Sequence, residues 1–217
     1  MVFLAEINKQ FLEESKMKEI ITKSAEDMIE SLSTIMNKKL NIISVDILDL
    51  RLEDVIQKIG KPDDMHGCIQ VEIFGKSEIK NSMLGHFLLL MDHESMKKFI
   101  SLAGREESDG FKKHLDFFRE VGNITSGSFL RLISESLKFE FRESLPDFCY
   151  DMLGSCMDSV LCSIAATSEK SLIFKAVIGM DGLKMNAMLL FYPDIYNLID
   201  LVREPSKQPT FKNGGFP

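Results

Sequence analysis

Both the fold and the functional face of this chain are predicted by one stretch, Asp116-Phe-Phe-Arg-Glu120-Val-Gly-Asn123-Ile-Thr-Ser-Gly127-Ser-Phe-Leu-Arg-Leu-Ile133. At about 100° per residue, the large apolar side chains gather on one face of a helix. That face, extended to the preceding residues, carries Phe111, Leu115, Phe118, Gly122, Phe129 and Ile133. The nearly opposite face carries Asp116, Glu120, Asn123 and Gly127. Glu120 and Asn123 are three residues apart, so we expect them to stand side by side and point away from the core.

The two glycines of this stretch have different expected roles. Glycine inside a helix costs about 1 kcal/mol relative to alanine, so each one calls for a reason. Gly122 lies on the apolar face and predicts a close contact with another helix. Gly127 lies on the polar face, where no core can receive it, and it predicts room for a partner to approach. The polar face of this helix is therefore the predicted functional face.

The bulk composition excludes several classes of function. The 217 residues carry a net charge of −7, which argues against a general affinity for nucleic acid or anionic membranes. No apolar run approaches the 18 or more residues that span a bilayer, and Glu6 comes too early for a signal peptide. The four cysteines lack a CxxC spacing and the four histidines lack a metal-ligand pattern. We expect a cytoplasmic protein with reduced thiols and no metal site.

The order of predicted elements recurs along the chain. The first series consists of a helix at 11–37, a strand at 40–50, a helix at 52–59, strands at 68–74 and 82–91, and a helix at 94–102. After a charged linker, the second series consists of a helix at 111–137, a strand at 138–145, a helix at 150–165, strands at 172–177 and 184–191, and a helix at 193–202. A shift of 101 residues superimposes much of the first series on the second. The tail at 205–217 is rich in Pro and Gly and is expected to be mobile.

This recurrence predicts an α+β fold with internal pseudo-two-fold symmetry. Two α-β-α-β-β-α halves, at about 1–104 and 111–204, would share one mainly antiparallel sheet in a single domain, with the long helices carrying the sites on one face. The alternative is two separate small domains. The single sheet is favoured because each half alone would be near the stability limit for its size.

The long helix resembles the CheC/CheX/FliY family of chemotaxis phosphatases. The family pattern is Asp or Ser, three residues, Glu, two residues, Asn, and Pro after twenty-two more. Asp116, Glu120, Asn123 and Pro146 meet every position of it. The run Glu-Val-Gly-Asn-Ile-Thr-Ser-Gly-Ser also resembles the CheC form.

The resemblance implies hydrolysis of the aspartyl-phosphate on a CheY-type response regulator. It implies that Asn123 orients the attacking water and that Glu120 pairs with a lysine at the regulator's phosphorylation site. Phosphoryl transfer to water depends on positioning and charge stabilisation, which these residue types can supply. Mg²⁺ would be held by the acidic pocket of the regulator, and this chain would bind no cofactor of its own.

The first half matches the family pattern less well. Ser15 and Glu19 fit it, but Thr22 stands in place of the Asn and Val45 in place of the Pro. Threonine cannot present a carboxamide, so this half predicts a degenerate second site. Glu19 is then either a relic or a residual docking contact. One working site in the second half is closer in number to CheX than to most CheC proteins.

Several alternatives remain open at this level. Asp116 either takes part in the site or only complements the helix dipole near its start. Pro146 is expected to shape the chain after the strand. The protein is either a response-regulator phosphatase or a binding module of the same fold without useful turnover. Such a module would dock a receiver domain, a CheD-like deamidase or a flagellar switch component, and self-association is a further possibility.

Overall fold

A computed structural model describes residues 14–75, 83–106, 110–137, 139–180 and 183–194. The helices are α1 (Glu14–Met36), α2 (Leu52–Ile59), α3 (His93–Leu102), α4 (Leu115–Leu137) and α5 (Leu153–Ala165), and a 3-10 turn (Phe111–His114) leads into α4. The strands are β1 (Leu40–Arg51), β2 (Met65–Gly75), β3 (Met83–Asp92), β4 (Phe141–Glu143), β5 (Asp147–Met152), β6 (Lys170–Met180) and β7 (Leu183–Pro193). The predicted α+β class is confirmed.

All seven strands belong to one antiparallel sheet with the order β1-β6-β7-β3-β2-β4, and β5 pairs with β2 beside β4. In its middle, Leu88 pairs with Leu190 and Leu89 with Leu189. Leu88 and Leu189 are 101 residues apart, as are Leu89 and Leu190, so the two pairs exchange under the predicted repeat. The pseudo-two-fold axis therefore passes between them, at the centre of the sheet.

Hydrophobic side chains cover both faces of this sheet. One core contains the buried faces of α1, α3 and α4, and the alternate residues Phe87, Leu89 and Met91 of β3 point into it. The other core contains the buried faces of α2 and α5 and receives Leu88 and Leu90. Burial on both sides explains why β3 is an unbroken apolar run. The layer formed by α1 and α4 carries the predicted functional face.

The strand predicted at 138–145 differs from the observed one. It is limited to β4, and a further strand, β5, occupies residues that were predicted to begin a helix at 150. Pro146 lies between the two strands and has no N–H to donate to a ladder, so pairing stops there and resumes on the same side of β2. The first half shows a milder form of the same break. In β1 the register shifts between Ile42 and Ser44, at the positions 101 residues before Glu143 and Leu145.

The end of the second half also requires a correction. Pro193 was predicted to open the last helix, but it is the last residue of β7, opposite Gly85 of β3. A strand end is one of the few sheet positions that tolerate proline. Asp194 follows β7 without helical structure, and residues 195–202 of the predicted helix and the tail at 205–217 lie outside the described residues.

Candidate functional site

Helix α4 presents its polar residues outward, as its pattern predicts. Asp116, Glu120 and Asn123 are exposed, and Gly127 is half-buried beside them. Phe118 and Phe129, on the opposite face, are fully buried in the core. Within the described part of the chain, the Glu120 carboxylate and the Asn123 carboxamide make no hydrogen bond or ion pair. Both groups are therefore available to a ligand.

Gly122 lies beneath this face, and its neighbours differ from the prediction. The heavy atoms nearest to a Cβ added at Gly122 belong to Pro146 and to strand β2, and not to a helix. Such a Cβ would lie 2.6 Å from Cβ of Pro146 and 2.8 Å from Cγ2 of Ile69 in β2. The absence of a side chain at Gly122 is what allows the buried Pro146 to rest on α4. This contact gives Pro146 a structural role next to Asn123.

At the other end of the same stretch, α4 contacts Glu143 of β4. Ser126 Oγ donates a short hydrogen bond to one carboxylate oxygen of Glu143. The other oxygen lies 3.7 Å from the position that a Gly127 Cβ would occupy. Burial raises the pKa of the Glu143 carboxyl, and the bond from Ser126 opposes that shift. The sequence pattern gave no sign of Glu143, because its contact with α4 depends on where the sheet edge lies.

The first half holds its corresponding residues in a different state. Glu19 accepts from Lys23 at 2.7 Å, and the Thr22 hydroxyl donates to the carbonyl of Lys18 at 2.7 Å. Ile21 fills the position that corresponds to Gly122, and the exposed Glu26 corresponds to Gly127. Ser15 lies in α1, but its side chain is outside the described part of the structure.

The two long helices pack against each other in antiparallel fashion. Ser31 of α1 and Ser128 of α4 are joined by a hydrogen bond of 2.7 Å, and Arg131 of α4 forms an ion pair with Asp27 of α1. These contacts lie on the side of α4 beyond Gly127. They fix the orientation of the Glu120 and Asn123 face relative to the first half.

The described ranges contain neither a candidate metal site nor a membrane-spanning helix. These ranges hold no group of three His, Cys, Asp or Glu residues that could bind a metal ion. They also hold no helix that is long and apolar enough to cross a bilayer. The four cysteines are free, and Cys68 and Cys156 are buried.

Comparison with known proteins reveals the fold through structure rather than sequence. No family model and no curated protein matches the sequence. FliY from Thermotoga maritima superimposes with a TM-score of 0.60 at 14% identity, over 88% of this chain and 93% of that chain. The FliM middle domain from Vibrio alginolyticus gives 0.51 at 16% identity, over 86% and 97%. A chemotactic CheC-like protein from Shewanella oneidensis gives 0.50 at 11% identity, over 81% and 97%.

The chain has the fold of the CheC/CheX/FliY family.

Within this CheC-like fold, α1 and α4 are the long helices of the two halves, and each begins and ends 101 residues from the other. The four residues of the family pattern lie on α4 and on the loop that contacts it. Asp116, Glu120 and Asn123 share the exposed face, while Pro146 is buried against Gly122. Because sequence identity to the solved structures is low, any functional assignment depends on these residues.

Proposed function

We propose that this protein is a phosphatase that hydrolyses the aspartyl-phosphate of a CheY-type response regulator through one site on α4. The observation that supports it best is the exposed pair Glu120 and Asn123, whose polar groups have no partner among the described residues. The acid and the amide match the family pattern and lie above a glycine that allows Pro146 to approach.

In this proposal, Asn123 positions the water molecule that attacks the phosphorus. Its carboxamide can both accept from and donate to one water molecule, and it carries no charge that would repel a phosphoryl group. When that water is held in line with the phosphorus, the reacting atoms already have the geometry that phosphoryl transfer requires. The exposed carboxamide has its two donors and its acceptor available for this task.

Glu120 orients the partner in the same proposal. Its carboxylate would form an ion pair with a lysine beside the phosphorylated aspartate of the receiver, which sets Asn123 against the phosphorus. Mg²⁺ would be bound by the receiver's own acidic pocket, where it neutralises charge that develops on the phosphoryl oxygens. Asp116 adds negative charge to the same docking face, and Gly127 leaves it open.

The contrast between the halves supports a single working site. Glu19 is engaged by Lys23, and no cation stands at the corresponding position in α4, which is Ile124. The Thr22 hydroxyl donates its hydrogen bond to the carbonyl of Lys18 in its own helix. The first half therefore retains the fold, but the side chains of Glu19 and Thr22 bond to residues of their own helix.

The test is the decay of a phosphorylated CheY-type receiver in Mg²⁺, with and without the protein. We expect wild type to accelerate the decay and Asn123→Ala to lower kcat by about 100-fold, the size of effect seen when one catalytic positioning group is lost. Glu120→Ala should weaken turnover mainly through KM. Glu19→Ala is the matched control, because it removes an exposed ion pair at the corresponding site and should leave the rate unchanged.

A second candidate is a docking module of the same fold without turnover. The internal bonds of Glu19 and Thr22 favour it for the first half, since they show that this fold persists without a free site. Its partner would be a receiver domain, a CheD-like deamidase or a flagellar switch component. Wild-type protein that binds the phosphorylated receiver but leaves its decay unchanged would replace the enzyme by this module.

A further inference from the structure

The segment Glu143 to Pro146 lies alongside the candidate site and is fixed at both of its ends. Pro146 is buried against Gly122, and Glu143 is bonded to Ser126. These two contacts are made with residues immediately before Asn123 and immediately before Gly127. The segment therefore borders the exposed face of α4.

The middle of this segment is also held by the sheet. The N–H of Ser144 donates to the carbonyl of Glu72 at 2.9 Å, and the N–H of Glu72 donates to Ser144 Oγ at 2.9 Å. The Ser144 hydroxyl then donates to the carbonyl of Leu145 at 3.1 Å. The backbone on both sides of Leu145 is consequently well fixed.

Leu145 itself is 87% exposed, more than any other large apolar residue in the described structure. A single exposed leucine on a mobile loop would need no explanation. A leucine on a fixed backbone, in a segment that contacts α4 at Gly122 and Ser126, presents apolar area that is already ordered before a partner arrives. Such preorganisation lowers the entropy lost on association.

We propose that Leu145 is the apolar anchor by which the phosphorylated receiver domain docks on α4. This inference rests on the proposed function and adds a positioning residue to it. The receiver would present an apolar depression beside its phosphoaspartate, and its lysine would face the carboxylates of Asp116 and Glu120. Leu145 would set the distance of approach, so that the phosphorus comes within reach of the water on Asn123.

The first half lacks this anchor in the same form. Residue 44, which corresponds to Leu145, is a serine. The neighbouring Ile43 is 64% exposed in the β1 bulge and contacts the backbone at Gly179, where an added Cβ would lie 2.7 Å from its Cδ1. Ile43 is therefore a matched control, with a similar side chain on the other edge of the sheet.

The experiment measures both turnover and binding for Leu145→Ser, Leu145→Met and Ile43→Ser. Turnover uses the phosphorylated receiver, and binding uses the same receiver loaded with beryllofluoride and Mg²⁺. We expect Leu145→Ser to raise KM and Kd about tenfold while kcat stays within twofold, which is the signature of lost docking. Leu145→Met should keep both constants within twofold because it retains the apolar area, and Ile43→Ser should match wild type.

The outcomes separate this inference from the proposed function. If wild type binds the receiver without accelerating decay, the phosphatase proposal fails, while a tenfold loss of affinity in Leu145→Ser still supports the anchor. If wild type is an active phosphatase and Leu145→Ser has unchanged KM and Kd, the anchor is overturned and the enzyme stands. Failure of wild type to bind the receiver overturns both.

Discussion

The two halves differ in the hydrogen bonds that the side chains at corresponding positions can still make with a ligand. The Thr22 hydroxyl has one hydrogen, which it donates in a hydrogen bond to the carbonyl of Lys18. It can therefore only accept a hydrogen bond from a ligand. Asn123, at the corresponding position, carries two N–H donors and a carbonyl, none of them bonded to a described residue. A water molecule that must be held in one orientation needs donor and acceptor together. This is the residue-scale reason for assigning the chemistry to α4.

A buried histidine in the central strand makes stability depend on pH. His86 is 2% exposed, its Nε2 lies 3.3 Å from Ser163 Oγ, and its Nδ1 has no partner in the described structure. Burial lowers the pKa of His86 to about 4, against a smaller opposing effect of Asp194. A depressed pKa means that the unfolded chain binds the proton first as pH falls below about 6.5. The titration of His86 therefore leaves the unfolding free energy unchanged above about pH 6.5 and lowers it progressively from there to about pH 4.

We expect wild type to lose about 2 kcal/mol more unfolding free energy than His86→Phe when pH is lowered from 7 to 5, the interval in which the unfolded histidine takes up its proton. Urea titrations at both pH values, followed by circular dichroism, measure this difference. The comparison cancels the titration of the carboxylates, which both proteins share. Equal losses in the two proteins would show that the pKa of His86 is the same in the folded and unfolded states, so that burial does not lower it.

At the scale of the helix, α4 carries two glycines that differ in their surroundings. An alanine Cβ at Gly122 would lie 2.6 Å from Pro146, whereas one at Gly127 would meet only Glu143 Oε1, at 3.7 Å. Gly122→Ala should lower the unfolding free energy by about 1 kcal/mol or more, because overpacking exceeds the gain in helix propensity. Gly127→Ala should raise it by about 0.5–1 kcal/mol from that same propensity. The two urea midpoints measure the contrast.

Each of these substitutions is the control for the other, since they make the same chemical change on one helix. Stabilisation by both would mean that Pro146 can move away from α4 at little cost. The loop would then be less fixed than its contacts indicate, and the docking role of Leu145 would lose its basis in a rigid backbone. Destabilisation by both would instead show that Gly127 contributes to packing and not to an open face.

The elements differ in how far their sequence determines them. The helices follow from apolar periodicity and local end signals, such as the Asp92 carboxylate that accepts from the N–H of Ser95 at the start of α3. Strand β5 could not be predicted in this way. It exists because Cys149 and its neighbours pair with residues of β2 that are about 80 positions earlier. The same long-range pairing brought Glu143 to α4, which is why the site was predicted without it.

At the scale of the molecule, the repeat was predictable but the arrangement of its strands was not. Helices α1 and α4 keep the 101-residue spacing, and α2 and α5 begin at the same spacing. Strands β2 and β6 begin 105 residues apart because α5 is longer than α2. Periodicity does not say which strands become neighbours. The observed order interleaves the halves, with β6 and β7 of the second half lying between β1 and β3 of the first.

This interleaving predicts that the two halves unfold together. Leu32 is 1% exposed in α1, in the core that also contains residues of α4 and β7. Leu32→Ala should lower the unfolding free energy by about 2–5 kcal/mol through the lost burial and the cavity that it leaves. If the shared sheet makes one cooperative unit, the slowest-exchanging amides of β6 and β7 should lose as much protection as those of β2. Native-state hydrogen exchange followed by NMR measures all three strands in one experiment.

Thr34→Ala is the control, because Thr34 is an exposed residue of the same helix and its loss should change exchange in neither half by more than about 0.5 kcal/mol. Protection lost only in β1, β2 and β3 would indicate two domains that fold separately. That result is hard to reconcile with β1, whose ladder partner is β6 of the other half over nearly its whole length. Since β1 has no other strand partner among the described residues, it cannot retain its hydrogen bonds when the second half unfolds, and the first half alone would lose an edge of its core.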